Sequence, residues 1–109
     1  QSQKRRLLRA ARPTPDGVFC YNDPVAIGAM KAILDSGLNV PHDICVVGAG
    51  NVQYSDLLAV PLTTVDQGTC RIGARAAELL MERITLKQRA RPKKILILPR
   101  LVERESTRR

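Results

Sequence analysis

The sequence predicts an α/β domain in which a mostly parallel sheet is flanked by helices, and three observations carry that expectation. Short apolar runs at residues 17–21, 43–47 and 61–65 alternate with two longer segments of helical periodicity. Aromatic residues make up only 3% of the 109 and Trp is absent, so the core has to be built from Val, Ile, Leu and Ala, as buried parallel strands are. Polar groups gather where the first two runs end, at Asn22-Asp23 and after Gly48, and the carboxyl ends of strands are where open α/β sheets bind small ligands.

Residues 1–16 read as the tail of a helix and a linker. Leu7, Leu8, Ala10 and Ala11 lie among basic residues, and Pro13-Thr14-Pro15-Asp16-Gly17 then stops any helix. Gly17-Val18-Phe19-Cys20-Tyr21 is the first strand. Asp23-Pro24 is a helix start, because Asp can accept free amide hydrogens and Pro fits the first turn. The helix runs through the stripe Ala26, Met30 and Ile33 to Gly37, expected as a left-handed cap. Residues 43–47 form a second strand with Gly48-Ala49-Gly50-Asn51 as a turn at its end, and Pro61-Leu62-Thr63-Thr64-Val65 a third. A second helix spans 68–86, with Ile72, Ala76, Leu79 and Leu80 on its apolar side and Arg71, Arg75, Glu78 and Glu82 on its polar side. Residues 94–98 and 101–104 are two final strand candidates.

The formal charge of +8 would permit nucleic-acid binding, but most of the basic residues sit in three separate groups, around 4–12, 87–94 and 104–109, without the interleaved aromatics that stack on bases. Cys20, Cys45 and Cys70 form no C-x-x-C pair and His42 is the one histidine, so neither a disulfide framework nor a zinc site is expected, and no metal or cofactor. No signal-peptide pattern or long apolar run is present, which makes a cytoplasmic location, without membrane contact, the expectation. Gly48-Ala49-Gly50 invites a dinucleotide reading, yet the third glycine of that fingerprint would fall at Gln53. Ser55, Asp56, Asp66 and Ser106 show no nucleophile elbow and no specified carboxylate pair, so no catalytic residue is assigned and an enzyme is not expected. Asp23 is either a helix cap or a ligand contact; if it caps, the Asn22 amide is freer to meet a ligand.

Several segments together resemble the lactose-repressor-like (LacI/GalR) bacterial transcription regulators. They are Asn22-Asp23 with Ala26-x-Gly28-Ala29, Gly37-Leu38-x-Val40-Pro41-x-Asp43-Ile44-x-Val46-Val47-Gly48, Pro61-Leu62-Thr63-Thr64-Val65-x-Gln67, Gly73, and Leu101-Val102-x-Arg104-x-Ser106-Thr107. The resemblance implies that residues 17–109 are the carboxyl-terminal part of a periplasmic-binding-protein-like effector domain, with helix 68–86 packing on another subdomain that the chain lacks. It implies a cytoplasmic homodimer that senses a small molecule, a carbohydrate, and contacts DNA only through an absent amino-terminal domain. The effector would meet Asn22, Asp23, Gly50 and Asn51, and the dimer would form around Ile27, Met30, Lys31, Leu34 and Leu58. Family members usually carry an acidic effector ligand where this chain has Gly50, so recognition would shift to Asn51 and backbone groups. Two other classes remain: a sugar-binding protein of a transport system, and an α/β enzyme, for which only the Gly48–Asn51 turn speaks. If the chain folds by itself, its uncovered second helix is expected to drive self-association.

Overall fold

The computed structural model describes residues 15–52, 54, 58–86 and 92–109. Strand β1 (Gly17–Phe19) leads into helix α1 (Asp23–Asp35), followed by β2 (Cys45–Ala49), β3 (Thr63–Asp66), helix α2 (Thr69–Leu86), β4 (Arg100–Val102) and a short 3-10 turn (Glu105–Thr107). The sheet order is β1-β2-β3-β4. The first three strands are parallel, with Phe19 beside Val47 and Val47 beside Thr63, and β4 returns antiparallel to β3, setting Arg100 opposite Asp66. The expected α/β class and mostly parallel sheet are thus observed.

Helix α1 begins differently from the sequence expectation. Asn22, not Asp23, is the cap: its backbone is extended and its Oδ1 accepts the Val25 N–H at 2.9 Å. Asp23 is released from that duty and lies fully buried. At the other end Gly37, at φ +83, takes the expected left-handed turn, and Leu38 N–H closes back on the Ile33 carbonyl at 3.2 Å.

The core lies between α1 and one face of the sheet. Ala26, Met30 and Ile33 of α1 pack with Val46 of β2, and with Ile44 and Leu62 just before β2 and β3. Ile33, Ile44 and Leu62 are completely buried, and each such side chain contributes roughly 1.5–3 kcal/mol on removal from water. Gly48 is required here, because a Cβ on it would fall on Asp23 Oδ1 and come within 3.2 Å of the Ala26 Cβ.

The carboxyl-terminal segment clasps β3. Ser106, fully buried, accepts the Thr63 N–H at 2.8 Å and donates to the Val46 carbonyl at 2.6 Å. Thr63 Oγ1 donates to the Arg104 carbonyl and accepts the Arg104 N–H at 2.8 Å.

Two further sequence expectations differ from what is observed. β2 begins at Cys45 because Asp43 closes a turn, its N–H donating to the Asn39 carbonyl and its Oδ2 accepting the Asn39 N–H. Residues 94–98 form no strand and are not part of the four-stranded sheet. Helix α2 matches its expected span, and no residue of it is buried. The helix expected near residues 1–12, together with Ser55, Asp56 and Leu57, lies outside the described residues.

Candidate functional site

The carboxyl ends of β2 and β3 meet a cavity of about 560 Å³. Gly50 and Asn51 line it from the turn after β2, Asp66 from the end of β3, Arg100 from β4, and Gly68 to Arg71 from the start of α2. Gly50 is at φ +118 and Asn51 at φ +52, left-handed geometry that glycine adopts freely and Asn tolerates better than most residues. The turn is pinned by backbone, since the Gly50 N–H donates to the Val65 carbonyl at 2.8 Å.

A chain of hydrogen bonds runs from the core to this turn. Thr64 Oγ1 donates to Asp23 Oδ1 at 2.6 Å and accepts the Asn51 N–H at 3.2 Å, while Asp23 Oδ2 accepts the Val52 N–H at 2.9 Å. The Asn51 side chain is held from both sides. Its Oδ1 accepts from Arg104 Nη2 at 2.9 Å, and its Nδ2 donates to Asp66 Oδ2 at 3.1 Å. Arg104 is fixed in turn by Nη1 donating to the Leu62 carbonyl at 2.9 Å.

Asp66 is the electrostatic centre of the cavity wall. Its Oδ1 accepts the Gly68 N–H at 2.8 Å, and Arg100 Nη2 stands 3.8 Å from Oδ2. The Gly68 hydrogen bond, then that from Asn51, hold its carboxyl below the ordinary value of 3.8, against a smaller opposing effect of burial, with Arg100 and Arg71 adding in the same direction. Asp66 is therefore ionised throughout the neutral range.

The structure brings three of the four predicted effector residues together. Gly50 and Asn51 line the cavity, and Asp23 supports them from within, its carboxylate turned to Thr64 and Val52. Asn22 is half-buried, caps α1 through its Oδ1 and is not among the residues that line this cavity; the condition under which its whole amide would be free, Asp23 acting as the cap, is not met. Sequence reasoning missed Arg71 and Arg100 and left Asp66 unassigned. The pairing of Asp66 with Arg100 depends on the β3–β4 register across 34 residues of chain, which no local pattern reveals.

The residues expected at a dimer interface line a second, apolar groove of about 210 Å³. Met30 is buried in the core, Ile27 and Leu58 pack partly against it, and Lys31 and Leu34 are exposed. His42 is exposed in its turn, and among the described residues no cluster of His, Cys, Asp and Glu could hold a metal ion. No described helix is long and apolar enough to cross a membrane.

Comparison with known proteins places these features in context. The profile of the periplasmic binding protein-like domain matches residues 1–107. An HTH-type transcriptional repressor PurR from Actinobacillus pleuropneumoniae serotype 3 (strain JL03) is 38% identical over 107 residues, which is 97% of this chain and 32% of that protein. A LacI family transcriptional regulator from Arthrobacter sp. FB24, in complex with lactose, superposes with a TM-score of 0.87 at 31% identity, covering 98% of this chain and 40% of that one. The lac repressor dimer bound to operator and the anti-inducer ONPF superposes with a TM-score of 0.82 at 32% identity, covering 97% of this chain and 31% of that one. The chain spans about a third of the length of the curated relatives it matches.

Proposed function

From the premise that the chain belongs to the periplasmic binding protein-like domain family and forms the carboxyl-terminal part of an effector-binding domain, we propose that it is the effector-sensing portion of a LacI-family transcription regulator. The observation that carries this reading is the Asn51 turn, locked by Thr64, Asp66 and Arg104 on the rim of a cavity at the carboxyl edge of a parallel sheet. A turn held on three sides costs little further ordering when a ligand arrives.

In this reading Gly50 and Asn51 contact the effector and Asp23 positions them, with Asn22 setting the start of α1. The effector is a carbohydrate, which the lactose-bound neighbour supports. Helix α2 docks on a second subdomain outside this chain, in keeping with its exposed Ile72, Leu80, Met81 and Ile84. Ligand closure between the two subdomains shifts a population of arrangements and thereby the affinity of an amino-terminal DNA-reading unit, also outside this chain. The groove at Ile27, Lys31, Leu34 and Leu58 forms a homodimer contact, and the protein works in the cytoplasm without a membrane partner, cofactor or catalytic role.

Fluorescence anisotropy on the encoded-length protein tests the proposal. DNA selected from a random pool should be bound, and its affinity should change when a carbohydrate is added. Carbohydrate binding with no DNA retention would favour the transport-protein alternative instead.

A further inference from the structure

The hydrogen-bond inventory of the cavity says more about its ligand than its shape does. Arg104 carries only donors, so the Asn51 amide can face it only with its oxygen, and Asp66 as a carboxylate carries only acceptors, so it takes the amide nitrogen. The two neighbours together fix the orientation of Asn51. Its oxygen is turned away from Asp66 to Arg104, and what it keeps on the Asp66 side is N–H.

Elsewhere in the wall Thr69 can donate or accept, and the two cationic side chains can only donate. Arg71 and Arg100 are donors, and both are exposed. Asp66 is the one carboxylate in the lining, and both of its oxygens are engaged, by Gly68 and by Asn51 with Arg100 nearby. The second carboxylate of the site, Asp23, is buried beneath the turn on Thr64 and Val52. Two guanidinium groups against one carboxylate leave the lining with a net positive charge, and the start of α2 at Thr69 adds a field of the same sign. A neutral sugar's hydroxyls could accept from these donors, but without the charge assistance that an anion brings. An oxyanion would find many donors, and guanidinium groups match its geometry.

We infer that the cavity between Asn51, Arg71 and Arg100 receives an anionic, acceptor-rich group, a phosphate or a carboxylate, carried on the effector. The inference rests on the effector-site reading above and narrows it to acidic or phosphorylated carbohydrates.

Isothermal titration calorimetry on the encoded-length protein tests this with matched probes: glucose, glucuronate and glucose 6-phosphate, and ribose with ribose 5-phosphate. At least one charged probe should bind about tenfold or more tightly than its neutral counterpart, as charge-assisted hydrogen bonds do. The better of glucuronate and glucose 6-phosphate identifies carboxylate or phosphate. Arg71→Gln and Arg100→Gln should each reduce that preference without changing the melting temperature, since both side chains are on the surface. Neutral sugars binding as tightly as their charged counterparts, or a preference that survives the Arg71→Gln/Arg100→Gln double variant, would overturn the inference while leaving the effector site standing. A well-folded protein that binds none of the probes, charged or neutral, would overturn the carbohydrate reading and this inference with it.

Discussion

Thr64 donates its hydroxyl hydrogen to Asp23 at 2.6 Å inside the fold and, on the same oxygen, accepts the backbone N–H of Asn51. One side chain therefore joins the buried start of α1 to the turn that lines the cavity. Thr64→Val keeps the shape and deletes both bonds, removing one donor from a buried carboxylate. It is expected to cost about 1–3 kcal/mol in chemical denaturation, with Thr64→Ser costing less because the hydroxyl is kept.

The two glycines at the end of β2 differ in why they are glycine. At Gly48 the space is filled by Asp23, Leu62 and Ala26, whereas a Cβ at Gly50 meets nothing within 4 Å and only its φ of +118 resists substitution. Gly48→Ala should therefore destabilise by about 1–3 kcal/mol through overpacking. Gly50→Ala should cost less, about 1 kcal/mol, through backbone strain alone. Equal losses in urea melts would contradict this assignment. The same φ explains why restoring an acidic residue at position 50 would introduce strain along with charge.

Asp66 gives the site a signature in acid. Its carboxyl is held below 3.8 by Gly68 and Asn51, so the native state favours the ionised form. A depressed pKa contributes stability that is complete above the unfolded value and is lost as pH falls through the native one. Denaturation midpoints of the wild type should thus fall below about pH 4, and Asp66→Asn should be less stable at pH 7 with a shallower decline across that acid window. Parallel acid limbs for the two proteins would contradict it.

Leu34 is 45% exposed on the groove shared with Lys31 and Leu58. Leu34→Glu places a charge there without touching the core. If this groove joins two copies, light scattering should show the variant shifting from dimer toward monomer with an unchanged ultracentrifugal shape for the protomer. A dimer that persists at the same concentrations would assign the contact elsewhere.

How much of this was legible in the sequence depends on the range of the forces involved. Helix α1 could be read from Asp23-Pro24 and the Ala26, Met30, Ile33 stripe because its signals are local. Which residue caps it could not be read, since Asn22 and Asp23 are both good caps and the bonds of Asp23 to Thr64 and Val52, which leave the cap to Asn22, are tertiary. Residues 94–98 carry strand composition but not a strand, because composition does not supply a neighbour. At the site, Gly50 and Asn51 were legible as a turn after an apolar run. Arg104 was visible as part of a motif, yet that its guanidinium spans from Leu62 to Asn51 follows only from folding across more than 40 residues.

The central claim is that the Asn51 turn binds the effector. Calorimetric titration of the encoded-length protein with the carbohydrate that stabilises it most, wild type against Asn51→Ala, measures this most directly. The account predicts an affinity about tenfold or more weaker in the variant, the loss expected when a fixed hydrogen-bonding group is removed from a ligand site. Equal affinities for two equally folded proteins would place the effector elsewhere and contradict it.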